Sequence, residues 1–282
     1  MRRVCILTDN SVEFTRQGYA GNELVFTFPF SVQSELPQHV KARESGNEEQ
    51  FGLEPPPINE ILKLFRKLHQ DHSEILVITL SSALSSLSSV VEKAIGQYGD
   101  LGSIQTIDSH TTSIGLGMLV QMAAELASLG TTSQEIEQQL RISIPHIYSL
   151  LCLPDLSYLA SANFLSPAQA VVGEMLDVLP IFSLENGCLT CIQKVRTHRH
   201  LLETFQEFVD EFIDPFYVAI INNANHLRTT TFRDYLITNF PRTSFGEHIL
   251  GTPLFELLGP RSIGLIVIEN NLRGTNENRV SH

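Results

Sequence analysis

The chain has 282 residues, 43% of them apolar and 18% charged, which is the composition of a folded protein with material for one large or two ordinary domains. Nineteen basic residues stand against 31 acidic ones, and the net charge of −12 repels nucleic-acid phosphates with no basic run to offset it. No stretch approaches the about 18 apolar residues of a membrane span, and Met1-Arg2-Arg3 meets Thr8-Asp9-Asn10 too soon for a secretory h-region, so no membrane insertion and a cytoplasmic address are expected.

Val4 to Leu7 reads as a short strand ending in the polar loop Thr8-Asp9-Asn10-Ser11, and Leu24 to Phe30 as a second strand. Residues 41–57 are polar and end in three prolines, the mark of a loop or excursion. Ile58, Ile61, Leu62, Phe65 and Leu68 then recur at helical spacing. Ile75 to Leu80 is a continuous β-rich run, as expected of a parallel strand buried on both faces. The serines that follow (81, 82, 85, 86, 88 and 89) are threaded by Leu84, Leu87, Val91 and Ala94 at helical spacing. The cluster therefore spans a strand's carboxyl end and the first turns of the next helix. Ser103 to Ile107 is a further strand, closed by Asp108-Ser109, and the helix after it runs to about Leu129 with Gly130 as its stop. Thr132 and Glu135 spell a capping box, and Ile147 to Leu153 is another strand.

The alternation then becomes less regular. Ser166-Pro167 starts a helix that ends near Val178, and Pro180 to Val195 forms a hairpin around Asn186-Gly187. A helix over Thr197–Phe212, a strand over Tyr217–Asn222 and a helix over Leu227–Phe240 follow. Residues 243–269 hold strand-like pieces ending in Ile263–Ile268, and the polar tail from Asn270 is expected to fray. The expected architecture is α/β in two domains: a three-layer parallel-sheet domain over 1–153 and a mixed α+β domain over 154–282.

In such a sheet, ligands bind outside the carboxyl ends of the strands. Three of those ends here carry Thr8-Asp9-Asn10-Ser11, Ser81-Ser82 and Asp108-Ser109. Hydroxyls and helix N-terminal amides converge there, which suits a carboxylate or a phosphate. Any one serine alone reads more simply as a cap or loop brace; three strand ends together point to a site. Catalytic patterns are missing: there is no nucleophile elbow, no P-loop and no H-E-x-x-H. Gly115 and Gly117 lack the third glycine of a dinucleotide loop and read as close helix packing. His198 and His200 lie on different helix faces and read as solvated. Asp9 and Asp108 could form a carboxylate pair if their strand ends adjoin, although loop bracing is the plainer role. Cys188 and Cys191 form a CxxC, but on a strand residues three apart face opposite sides, which disfavours a shared metal or a disulfide. Cys5 and Cys152 read as buried small hydrophobes. No catalytic residue, metal or cofactor is expected.

The order of these pieces resembles the DegV family from residue 4 to about 268. It comprises the Thr8–Ser11 loop, Leu80-Ser81-Ser82-Ala83-Leu84-Ser85-Ser86, Ile107-Asp108-Ser109, Gly130 with its capped helix, and Asp155-Leu156-Ser157-Tyr158-Leu159. Leu179-Pro180-Ile181, Asn186-Gly187 and Lys194-Val195-Arg196 complete it. The resemblance implies a bacterial lipid-binding protein of the EDD fold, with a long-chain fatty acid in a tunnel that the second domain closes. It also implies that serine-loop hydroxyls hold the carboxylate, here Ser82 and Ser85 with Ser81 and Ser86 nearby. Asp9, Ser109 and Arg196 complete the expected lipid site. Some family members present the bound lipid to a separate fatty acid kinase.

Three places depart from that pattern. Leu53-Glu54 stands where a Thr-Ser pair is common, Ala162-Asn163-Phe164 where the family has Gly-Gly-Arg, and Leu257-Leu258-Gly259-Pro260-Arg261 where it has His-x-Gly-Pro-Gly. An arginine and a histidine are lost, for which Lys194, Arg196 or Arg261 could substitute. A lipid carrier without catalysis is the first reading. A relative that has lost lipid binding and acts in interaction or regulation is the second, and an enzyme using Asp9, Asp108 and the serines the third.

Overall fold

The fold is described from a computed structural model over residues 4–32, 53–99, 103–185, 187–223 and 228–269. The chain begins with β1 (Val4–Asp9), a 3-10 turn over Asn22–Leu24 and β2 (Val25–Phe28). Two short strands, β3 (Ser31–Val32) and β4 (Leu53–Glu54), pair with each other antiparallel. There follow α1 (Ile58–Leu68), β5 (Glu74–Thr79), α2 (Leu87–Tyr98), β6 (Ile104–Asp108), α3 (Ser113–Ser128) and α4 (Ser133–Ser143). Strands β2-β1-β5-β6 form, in that order, a parallel sheet. Helices cover both of its faces, which is why β1 and β5 carry almost unbroken apolar runs. The predicted stripe of α1 is buried at Ile61, Leu62, Phe65 and Leu68. Thr132 and Glu135 close the expected capping box on α4, and Gly130 takes the left-handed conformation that ends α3.

The second half consists of β7 (Ile147–Cys152), α5 (Leu156–Ser161), α6 (Pro167–Met175), β8 (Leu179–Glu185), β9 (Cys188–Val195), α7 (His198–Asp210), β10 (Pro215–Asn222), α8 (Thr230–Asn239), β11 (Ser244–His248), α9 (Thr252–Leu258) and β12 (Ile263–Glu269). Its mixed sheet runs β11-β10-β12-β7-β8-β9 and is antiparallel except for the β10–β11 pair. The strand at 147–152, read from sequence as the close of the parallel domain, hydrogen-bonds between β12 and β8 instead. The division expected at 153 thus falls just after a strand of the second sheet. Residues 252–258, read as strand-like, form α9. The expected fraying from Asn270, and most of the excursion at 41–57, lie outside the described residues.

α3 lies between the two sheets, packing on β1 and β5 and also on β7 and β12. Ile114, Leu116, Leu119, Val120, Ala123, Ala124 and Ala127 are all buried, and the half-buried strip Met118, Met122, Glu125 and Leu126 is itself mostly apolar, so the helix has no clear amphipathic pattern. Gly115 and Gly117 allow the close packing expected of them. A Cβ at Gly117 would stand 1.8 Å from the Glu13 carbonyl oxygen, and one at Gly115 would stand 2.2 Å from Thr111 Oγ1 and 3.0 Å from Ile147 Cγ2. One hydrophobic core therefore runs from the first sheet through α3 to Leu151, Ala219 and Ile266. A second core fills the far face of the mixed sheet, where Leu201, Phe205, Val209, Phe232 and Leu236 of α7 and α8 meet Val218, Ile220 and Leu265.

Candidate functional site

The carboxyl ends of β1, β5 and β6 come together as three polar loops. Asp9 is fully buried at the first. Its Oδ2 accepts the Leu80 N–H at 2.9 Å, and its Oδ1 accepts the Ser11 N–H at 3.0 Å and the Ser11 hydroxyl at 2.5 Å. Burial pushes the Asp9 carboxyl above the usual carboxylate range, and these three donors act in the opposite direction. Asp108, at the end of β6, accepts the Ser82 N–H at 3.2 and 3.3 Å on its two oxygens and the His110 N–H at 2.9 Å. The two carboxylates close the strands on either side of β5 rather than adjoining strand ends, and each accepts a backbone N–H from the stretch after β5.

Ser81 and Ser109 are buried and engaged in the same framework. The Ser81 N–H donates to the Thr111 carbonyl at 2.8 Å, and its hydroxyl oxygen accepts the Ala83 N–H at 3.2 Å. The Ser109 N–H donates to the Thr79 carbonyl, and its hydroxyl donates to the Thr111 carbonyl at 3.2 Å. Ser85 is half-buried, with its hydroxyl oxygen accepting the Leu87 N–H at 3.2 Å, whereas Ser82 and Ser86 are exposed. Of the serines expected to hold a headgroup, 82 and 86 are thus exposed, 85 is half-buried, and 81 and 109 are buried.

The stretch from Asp108 to α3 contributes more than the sequence reading assigned to it. His110 and Ser113 take left-handed backbone conformations, with φ of 52° and 50°. Such residues cluster at functional sites. The Thr8, Thr112 and Ser113 hydroxyls are buried without a hydrogen-bond partner among the described residues, and Thr111 Oγ1 lies 3.4 Å from Ser149 Oγ of β7. The available signal was the polar run Ser109-His110-Thr111-Thr112-Ser113 just ahead of an apolar helix.

The hairpin β8–β9 of the second sheet covers this ground. Its turn glycine, Gly187, has φ of 72°, and a Cβ there would lie 3.5 Å from the His110 ring and 3.7 Å from the Ser82 hydroxyl. Beside it is a cavity of about 160 Å³ lined by His110, Ile144, Pro145, Ile147, Tyr148, Leu184 and Glu185. Arg196 is not brought here. It follows β9 at the open end of the hairpin, nine residues from Gly187 and, at the usual strand rise, roughly 30 Å away. Lys194 pairs opposite Pro180 near that same end. Arg261 donates from Nε to Asp155 at 2.5 Å and from its backbone N–H at 2.8 Å.

His198 and His200 are exposed at the start of α7, and Cys188 and Cys191 are exposed free thiols. Among the described residues, no group of three or more His, Cys, Asp or Glu could hold a metal ion, and no helix is long and apolar enough to cross a membrane.

Two sheets sharing one buried helix, with a hydroxyl-rich loop of the first beneath a hairpin of the second, define a two-sheet α/β protein with a polar loop at their junction. The chain belongs to the DegV family, whose model, described as "Uncharacterised protein, DegV family", matches residues 40–270. A DegV domain-containing protein of Staphylococcus aureus (strain COL) is 25% identical over 282 residues, covering 95% of this chain and all of that relative. Among solved structures, a fatty acid binding DegV family protein from Streptococcus agalactiae has the same fold, with a TM-score of 0.79 at 19% identity over 96% of this chain and 100% of that one. The Streptococcus pneumoniae Fatty Acid Kinase (Fak) B3 protein loaded with linoleic acid gives a TM-score of 0.76 at 14% identity, covering 95% of this chain and 100% of that one.

Proposed function

We propose that this chain is a non-catalytic carrier, working in the bacterial cytoplasm, that binds one long-chain fatty acid between its two sheets with the carboxylate on the serine loop. The observation that carries the reading is the loop itself. Ser82 and Ser86 are exposed and Ser85 half-buried on a frame fixed by Asp9, Asp108, Ser81 and Ser109, beneath the hairpin of the other sheet. Neutral donors next to the N-terminus of α2 suit a carboxylate. The fatty acid bound by relatives of the same fold supports the choice of ligand. Apolar burial supplies about 0.8 kcal/mol per CH₂, so a sixteen-carbon chain contributes on the order of 10 kcal/mol before ordering costs, and the hydroxyls set orientation.

Native mass spectrometry of the purified chain, followed by solvent extraction, tests this. A stoichiometric fatty acid is the expected result. A protein that is empty, and stays empty when palmitate or oleate is added, overturns it. That outcome would favour the second reading, an interaction or regulatory protein, to which the engagement of Arg261 with Asp155 and the remoteness of Arg196 lend support. Delivery of the lipid to a fatty acid kinase is a separate step, read by phosphorylation of the bound acid when such a kinase is added.

A further inference from the structure

The basic side chains that could have compensated for the departures from the family pattern are engaged elsewhere: Arg261 is held by Asp155, and Lys194 and Arg196 sit at the far end of the hairpin. His110 stands where they do not. Its backbone N–H is fixed on Asp108, the same carboxylate that holds Ser82, and its left-handed φ of 52° turns the residue out of the path into α3. Its side chain is 43% exposed, with Nε2 3.7 Å from Asp108 Oδ2.

Three features converge on this imidazole. His110 Nε2 and the Ser82 hydroxyl both lie within 4 Å of one point, the position of a Cβ on Gly187. The two donors are therefore at most about 7.5 Å apart, within the span that one carboxylate can bridge by accepting a hydrogen bond on each oxygen. On its other flank His110 lines the cavity walled by Ile144, Pro145, Ile147 and Leu184, so the ring stands where polar loop gives way to apolar wall. Two carboxylates, Asp108 and Glu185, are close by, and an anion settles between them only if a donor stands in front of it.

We infer that His110 is a headgroup ligand of this chain: its imidazole N–H donates to one oxygen of the bound carboxylate while the Ser82 hydroxyl donates to the other. The inference rests on the carrier reading. It assigns to His110 the selection of a fatty acid over a neutral lipid with the same chain.

The test compares oleate with oleyl alcohol on the full chain, wild type and His110→Asn, by displacement of a fluorescent fatty acid analogue. Asparagine tolerates the left-handed backbone and is too short to reach the headgroup. His110→Gly, which also accepts that backbone, is the second variant should the first fail to fold. The expected result is a loss of oleate affinity of about tenfold or more with little change for the alcohol, and an unchanged melting temperature of the lipid-free protein. Equal loss for both lipids, or loss for neither, overturns the role of His110. A wild type that binds neither lipid overturns the carrier reading itself, so the two failures are told apart.

Discussion

Asp9 and Asp108 close the strands on either side of β5 and grip the same short stretch of chain, Asp9 through the N–H of Leu80 at 2.9 Å and Asp108 through the N–H of Ser82 at 3.2 Å. With one strand between them they work as two clamps on a loop, not as an acid–base pair. A loop clamped at both ends is ordered before a ligand arrives, and the entropy lost on binding falls accordingly.

Asp9→Asn tests the first clamp. The amide offers one acceptor where the carboxylate serves three donors, and a buried donor left unmatched costs about 1–3 kcal/mol, readable as a lower urea midpoint. Burial raises the pKa of Asp9, so the folded state holds the proton more tightly than the unfolded chain. The stability from that proton is complete below the ordinary carboxyl value of about 3.9 and is lost as pH rises through the raised folded value. The advantage of the wild type over Asp9→Asn therefore shrinks with rising pH across that window. An advantage that grows with pH would refute the direction.

Ser82→Ala and Ser85→Ala separate ligand contact from scaffold. Ser82 is exposed and its hydroxyl has no hydrogen-bond partner among the described residues, so Ser82→Ala should leave unfolding within about 0.5 kcal/mol of wild type while weakening fatty acid binding about tenfold. Ser85→Ala removes in addition the acceptor for Leu87 N–H, and a melting curve should show a small stability loss alongside the binding loss.

The two helical glycines of α3 make opposite claims to those of helix propensity, on which alanine is better by about 1 kcal/mol. At Gly117 the new Cβ meets a backbone carbonyl that cannot swing aside; at Gly115 it meets mainly the tip of the Thr111 side chain. Gly117→Ala should lower the melting temperature well below that of Gly115→Ala. Equal or raised melting temperatures would mean that Glu13 and its loop yield freely.

The four cysteines divide two and two. Burial pushes the Cys5 and Cys152 thiols up to about 12, whereas Cys188 and Cys191 are exposed on β9. Iodoacetamide at neutral pH should add two labels to the native protein, located by peptide mass spectrometry to residues 188 and 191, and four after denaturation. Rapid native labelling of Cys5 would show that the first sheet opens.

Local pattern carried much of the fold. Helical spacing disclosed α1, the unbroken apolar run disclosed β5, and the Thr132/Glu135 pair marked the start of α4. What it could not disclose was partnership. The run at 147–152 declares a buried strand but not which sheet it joins, and α3 reads as a helix without showing that sheets cover both its sides. α9 is seven residues long and mostly buried, too short for its period to stand out, although Pro253 in its first turn was a usable sign. The serine loop was legible because its residues are contiguous. The approach of Gly187 to His110 was not, since it joins positions 77 residues apart, and the resemblance that put Arg196 in the expected site carries no information about which end of a hairpin it occupies.

The second sheet is assembled around its final strand. β12, ending at Glu269, fills the gap between β10 and β7, so each of those strands keeps one open edge until it arrives. On a ribosome adding about 5–20 residues per second, the parallel sheet with its own helices can form while this gap still stands open, leaving the second-sheet side of α3 only partly covered until residues 263–269 emerge. The nascent chain at that stage presents two bare strand edges beside an apolar helix, and premature termination near residue 260 would release a species suited to aggregation or to chaperone capture.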